Sequence, residues 1–551
     1  MKKILILIEI FLVLPFLGLQ AEEQSSHDFY IEPTYDLNRR TKIKADLITE
    51  TENLDFYGDQ KWWNNLTSRQ QDNYIEKLKD LSVEFEEDIH DQMVQIFGKK
   101  PIHPVTEEKK VNILFHSMRE SAGGYFNSGD QHSKYQNPHS NEMSLLYLNT
   151  DVLDYEELGG FLAHEFMHLL TFNQKERLRG VREEIWLNEA RAEYMPTFLG
   201  YNDNGEGNLE KRTETFLRDP DISLTEWIGQ RADYGVVNIF THYLVDQYGI
   251  EILVDSLKSK EVGIKSIEEA LKDNGYDKNF SEVFSEFKIA ALVNDCQLGE
   301  RYCFKNEKLK DLKVSPATNY VPFTEDSSIS VTYRTKNWAG NWHKITGGQG
   351  TLVLDFEVEN DLKISIPYLL CGDRVECKIG YIDTNNGEGT LTVEDFDDTY
   401  DSLVIMPTIE EKKSGFNGIQ ESYVFKWTAR LLQEETELET LQKLSRLREL
   451  LERLKERLLQ QQSSPKTSTI RGPLYEGITD SESVVCLQLF LSTQEGIYPE
   501  GYVTGNFLRL TKKAVIRFQE KYSSYILEPI GLKEGTGYLG SRTISMINNL
   551  R

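Results

Sequence analysis

Between residues 66 and 97 apolar positions recur at steps of mostly three and four, with Tyr74, Leu78, Leu81, Phe85, Ile89 and Val94 on one stripe and Gly98 as a stop. That period predicts an amphipathic helix serving as packing scaffold. The stretches "KVNILFHSM" and "NEMSLLYLNT" read as strands, and the Gly-rich "SAGGYFNSGDQH" between them reads as a loop. Residues 181 to 200 and "YGVVNIFTHYLVDQYG" are again helical. The texture changes near residue 313. From there to about 428, short alternating runs such as "SISVTYR", "GTLVLDFEV", "LKISIPYLL" and "ESYVFKWTA" alternate with Gly, Asn and Asp turns, which predicts a β-sandwich. Leu444, Leu447, Leu451, Leu454 and Leu458 then follow a heptad pattern within 430–462. This leaves open a solvated helical spacer or a coiled coil that makes a homodimer. The polar, Pro-bearing "QQQSSPKTSTIRGP" links to a last region of three helices. Thr479 with Glu482, Thr511 and Ser541 are the expected caps there, and Val485, Leu489, Ala514 and Phe518 the expected core.

One segment breaks the apolar pattern. "GGFLAHEFMHLLTF" places His164, Glu165 and His168 in a run that a core helix would keep apolar. Four residues of a 3.6-residue helix bring both imidazoles to one face, a turn apart, where they can share one ion. Zinc accepts such nitrogen ligands, and a catalytic site adds a third protein ligand while leaving a position open. Downstream, "REEIWLNEARAEY" supplies Glu189 as that ligand and, one turn later, Glu193 to orient a ligand histidine. Glu165 beside the open position is the general base. Glu183 and Glu184 are expected to be solvated helix-start residues, Asp154 to be a cap for the histidine helix, and His132 and His242 to be ordinary histidines.

"HEFMH" followed by "WLNEARAEY" resembles the gluzincin group of zinc metallopeptidases. The wider shape "GGYF…NEMSLLYLN…HEFMHLLTF…WLNEARAEY…YGVVNIFTHYL" is most similar to hyicolysin-like secreted bacterial peptidases, over about residues 110 to 250. The resemblance implies a zincin-like α+β domain, with His164, His168 and Glu189 on zinc and Glu165 as base. Where thermolysin-type members carry aspartate four residues after the ligand glutamate, this chain has Glu193, a longer arm. Related enzymes also place a Tyr or His after the ligand helix, which makes Tyr234 a candidate oxyanion donor beside a plain packing role. By the same resemblance "NEMSLLYLN" would be the sheet edge that pairs with extended substrate, the alternative being an internal strand. The last region, with "CLQLFL…TGNF…TKKAVIRFQ…G…T", resembles the small helical peptidoglycan-binding domain of bacterial wall-acting proteins, which implies peptidoglycan as a partner.

Charge and targeting sharpen the picture. Asp and Glu number 89 against 62 Lys and Arg, a net charge of −27, which argues against nucleic acid as a partner. "MKKILILIEIFLVLPFLGLQAEE" reads as a signal peptide over 1–21, with an uncleaved anchor as the alternative and no other membrane segment. Export permits disulfides, and sequence proximity favours Cys296 with Cys303 and Cys371 with Cys377, leaving Cys486 as a buried small hydrophobe. Residues 22 to about 60 leave a pro-segment open. The expected organisation is a metallopeptidase domain at 22–312, a β-sandwich at 313–429, a helical coiled-coil-like spacer and linker at 430–470 and a peptidoglycan-binding-like domain at 471–551. The expected function is a secreted zinc endopeptidase acting on proteins or peptides at the cell wall. The alternatives are a hydrolase of peptidoglycan stem or bridge peptides and a non-catalytic wall-binding adhesin or scaffold with a structural metal.

Overall fold

The computed structural model describes residues 26–98, 102–119, 122–202, 208–322, 327–359, 362–416, 418–432, 445–455, 470 and 472–551. The expected signal peptide and most of the heptad segment lie outside them. The chain divides into two units, residues 1–433 and 434–551. It is a multidomain α+β protein with several sheets, and among the described residues no helix is long and apolar enough to cross a membrane.

The first unit is built on a six-stranded sheet in the order β1 (Ser26–Tyr30), β2 (Lys42–Glu50), β3 (Leu54–Asp59), β4 (Val111–His116), β6 (Leu145–Asn149) and β5 (Gly124–Phe126). β3, β4 and β6 run parallel, while β5 is antiparallel to β6 at the sheet edge. Two corrections follow. "NEMSLLYLN" is not an edge: β6 is wholly buried between β4 and β5, which explains its apolar residues on both faces. The segment read as a loop contains the true edge strand. Nor are residues up to 60 a detachable pro-segment from Ser26 onward, because β1 to β3 form half the sheet and bury Phe29, Leu54 and Phe56.

The scaffold helix starts at Thr67, whose side chain and that of Gln70 form a capping box, and runs over Ser68–Glu84. A π-helical turn, Phe85–His90, precedes its last segment, Asp91–Phe97, which Gly98 ends at φ 111°. The wide turn shifts the helical phase, so Phe85, Ile89, Met93 and Phe97 face the core and Val94 sits beside it. The histidine helix, Leu158–Phe172, packs between this scaffold and the glutamate helix, Ile185–Phe198. Asp154 does not cap it. Its carboxylate accepts from Tyr74 Oη at 3.0 Å, and Glu157 occupies the cap position with no side-chain bond.

Residues 317–432 form two larger antiparallel-dominated sheets and a two-stranded ladder of Ile364–Ser365 with Thr408–Ile409. One orders Glu388–Phe396, Gly350–Val358, Ser422–Leu432 and Ser328–Lys336; the other orders Val375–Tyr381, Pro367–Gly372, Ser402–Ile405, His343–Thr346 and Ala317–Tyr320. Leu352, Leu354, Phe356, Leu370, Leu403 and Trp427 belong to the core between them. This sandwich is continuous with the rest of the unit. Trp338 is fully buried against Phe280 and Phe284, and its Nε1 donates to Lys412 O at 2.7 Å. The ammonium of buried Lys288 donates to Met406 O and Thr408 Oγ1. Both expected disulfides are present, Cys296–Cys303 and Cys371–Cys377, while Cys486 is half-buried.

In the second unit a helix covers 445–455, with Leu447, Leu451 and Leu454 exposed; Leu444 and Leu458 lie outside the described residues. Three main helices follow, Glu482–Ser492, Arg509–Lys521 and Ser541–Leu550. None starts on the expected cap. Ser481, Leu508 and Gly540 hold those positions without side-chain bonds, and Thr511 is buried inside its helix. Leu489 is exposed, so the first helix turns Val484, Leu487 and Leu491 to the core.

Two buried glutamines organise the unit. Gln488 Oε1 accepts the backbone N–H groups of Thr504 and Gly505, and its Nε2 donates to Thr511 Oγ1 at 2.9 Å. Gln519 repeats the arrangement with Thr536, Gly537 and Thr543. Gly505 and Gly537 have φ of +76° and +72°, a conformation that glycine adopts without a Cβ penalty. The sequence therefore carries an internal repeat, Gln…Thr-Gly…Thr, twice over.

Candidate metal centre

The histidine helix brings its two rings together because their four-residue spacing is nearly one turn. His164 Nε2 and His168 Nε2 are 3.3 Å apart. Glu189 Oε2 on the neighbouring helix lies 3.6 Å from the first and 3.8 Å from the second. These three residues are the one group among the described residues whose ligand atoms converge closely enough to hold a metal ion. Glu193, one turn after Glu189, faces the other side of His164, with Oε1 3.7 Å from Nδ1. The longer glutamate arm is fixed by Arg212, which makes two bonds of 2.7 Å to it, and by Asn208 at 3.1 Å.

Glu165 is 95% buried and its Oε2 has no hydrogen-bond partner. Burial pushes the Glu165 carboxyl up to about 8, with Glu189 and Glu193 adding to the rise against His164. Burial also opposes charge on His164, but Glu189, Glu165 and Glu193 overcome it and raise the ring to about 9. His168 is lowered by burial. Burial works against ionised Glu193 too, yet Arg212 holds its carboxyl below the usual range. With Arg212 balancing Glu193, two further carboxylates face two imidazoles in a buried pocket, and that donor set fits a divalent cation.

Two walls close the site. Tyr234, near the start of the helix Arg231–Tyr248, lines the cleft with His164, His168, Glu189 and Glu165. Its ring packs edge-on to Trp227 at 4.7 Å and under the Arg212 guanidinium at 4.6 Å. Burial, then Glu189 and Glu193, push its hydroxyl far up, so it stays protonated. Opposite lies the edge strand. A Cβ on Gly124 would sit 2.6 Å from Tyr147 O and 2.9 Å from Glu165 Oε1, so this close approach requires glycine.

Several side chains at the site went unread in the sequence. Tyr35 lines the cleft from far away in the chain, and Arg212 lies on a polar helix with no motif. Asn188 stands directly before Glu189 inside the quoted motif, and the Gly pair at 123–124 was the one visible sign of a close approach. Glu183 and Glu184 correct the expectation of solvated residues. Glu183 is buried on Arg191 Nη1 at 2.7 Å, and Glu184 accepts from Trp186 Nε1 at 2.8 Å and Gly415 N at 2.7 Å. Their partners lie on elements that only the fold assembles. His242 is an ordinary buried histidine, bonded to Thr197 Oγ1 and Asn238 O at 2.8 and 2.9 Å.

No protein-family model and no curated protein matches the chain. Among solved structures it is similar to the pre-peptidase C-terminal domain of a Bacillus anthracis collagenase, over 21% of this chain and 95% of that one, at 4% identity and a TM-score of 0.16. A periplasmic inhibitor of g-type lysozyme from Aeromonas hydrophila is matched over 21% of this chain and 96% of that one, at 10% identity and a TM-score of 0.16. A mitogen from Yersinia pseudotuberculosis is matched over 20% and 90%, at 13% identity and 0.14. Likenesses at these scores carry no argument about fold or function.

Proposed function

We propose that the chain is a secreted zinc-dependent endopeptidase that hydrolyses peptide bonds in proteins or peptides. The observation that carries this reading is the convergence of His164, His168 and Glu189 beside a buried carboxylate, Glu165, with an oxygen left free. Two nitrogens and one carboxylate suit zinc and leave a coordination position open, whereas structural zinc usually fills all four with protein. When bound, the cation supplies Lewis acidity, polarising a peptide carbonyl and acidifying water. Glu165 takes the proton of the attacking water at its free oxygen and delivers it to the leaving amine. Tyr234, kept protonated, donates to the carbonyl oxygen as charge develops there. Glu193, held by Arg212, fixes the ring of His164. The extended substrate adds to the open edge of β5.

The last unit tethers the enzyme to the bacterial cell wall in this reading, supported by the likeness of its motif to peptidoglycan-binding domains and by the paired Gln…Thr-Gly turns that build it. That tether favours a second reading, cleavage of peptidoglycan stem or bridge peptides. Metal analysis is expected to find one zinc per chain, and casein hydrolysis is expected to stop with chelator and in Glu165→Gln. Undiminished hydrolysis in Glu165→Gln rejects the mechanism, and cleavage of purified wall but not casein selects the second reading.

A further inference from the structure

Three parallel rings run across the sheet towards the metal centre. Tyr147 on β6 and Tyr125 on β5 pair directly across their strands, with ring centroids 4.2 Å apart and planes within 9°. Tyr35, in the loop between β1 and β2, stacks on Tyr125 at 4.6 Å and 11°. Among the described residues it has no ring contact with Tyr147, so it covers the face of Tyr125 turned away from β6. Neighbouring strands lie about 4.8 Å apart. Tyr35 therefore stands one strand further along the row, past the open edge of β5. It also lines both cavities that flank the metal centre, together with Gly124, Glu165, Tyr234 and the candidate ligands His164 and Glu189.

The loop holds the ring in that place. Arg119 N donates to Tyr35 O at 3.0 Å and Leu37 N to Ser117 O at 3.1 Å, which ties the loop to the chain that follows β4. Between these two ties Asp36 is fully buried, accepting from Asn38 N and Arg40 N at 2.9 Å and from Arg40 Nη2 at 2.7 Å. Glu32 N donates to Tyr125 Oη at 3.1 Å, so the loop is also fixed to the ring that Tyr35 covers. Side chains alternate between faces along a strand, so Tyr125 points away from the face on which Gly124 approaches Glu165. Residues paired across neighbouring strands share a face. A substrate residue opposite Tyr125 therefore aims its side chain at the place that Tyr35 fills. We propose that this substrate residue must be glycine or alanine, with Tyr35 as the specificity-determining residue that excludes larger side chains. The inference rests on the peptidase reading and on its added substrate strand.

The test maps by mass spectrometry where the full-length, zinc-loaded chain cuts a library of random-sequence peptides. One position within about three residues of the cut is expected to favour glycine and alanine over leucine and phenylalanine by about tenfold or more. Tyr35→Phe, which keeps the ring, is expected to keep that preference. Tyr35→Ala is expected to lose it at that position alone. Where Tyr35→Ala fails to fold, Tyr35→Trp replaces it, and its larger ring is expected to narrow acceptance from alanine to glycine. Cleavage with no small-residue position, or a preference that the variant leaves unchanged, overturns the proposal and leaves the peptidase reading standing. A chain that takes up zinc yet cleaves no peptide removes both.

Discussion

Buried polar side chains occur in both units, and two glutamines of the second make a contrast with one carboxylate of the first. In the second unit, Gln488 and Gln519 each have carbonyl and amide ends bonded to backbone and threonine partners. In the first, Glu165 Oε2 lies buried without one. A satisfied buried amide specifies a turn and a helix pairing, since removing it strands its partners. An unsatisfied buried carboxylate is a cost that folding alone does not recover. The contrast sets two amides that hold turns of the second unit against a carboxylate that stands beside the candidate ligand residues of the first.

The strongest way to break the contrast is Glu165→Gln. Turnover is expected to fall by about 10³-fold, while the melting temperature stays level or rises because a buried carboxyl with an unpartnered oxygen is replaced by a neutral amide of the same shape; a clear loss of stability would place Glu165 with the architecture. Next, Glu193→Ala is expected to weaken metal affinity by about 10- to 100-fold, measured by competition with a chelator. On the satisfied side, Gln488→Leu is expected to cost about 2 kcal/mol in denaturant unfolding of the chain, because the N–H groups of Thr504 and Gly505 lose their acceptor. The smallest effect concerns pH. Burial alone would raise the Glu183 carboxyl, but Arg191 and Lys175 hold it below its ordinary 4.5. Its contribution to stability is therefore present above that value and lost as pH falls through the lowered one. Glu183→Gln is expected to flatten the acid limb of a stability-against-pH curve.

What the sequence disclosed follows the range of the forces involved. His164 and His168 share a face through helix geometry alone, and Glu189 and Glu193 through the same rule one helix later, so the centre was readable from local spacing. The cysteine pairs are seven and six residues apart and were readable for the same reason. The edge strand was not, because β5 is three residues long and sits in a Gly-rich stretch where turn signals dominate. Glu183 and Glu184 looked like solvated starters until Arg191, Trp186 and Gly415 came round to meet them. In the last unit, cap-like threonines misled because Thr511 is claimed by Gln488, a partner 23 residues away. Tyr35 and Arg212 reach the cleft through the fold alone.

Trp338 has a consequence for dissection of the molecule. Its indole fills a berth made by Phe280 and Phe284, so a recombinant fragment that stops at residue 312 would carry a bare aromatic socket on its surface. The natural place to cut is past 432, and a shorter catalytic fragment is expected to be sticky rather than merely smaller.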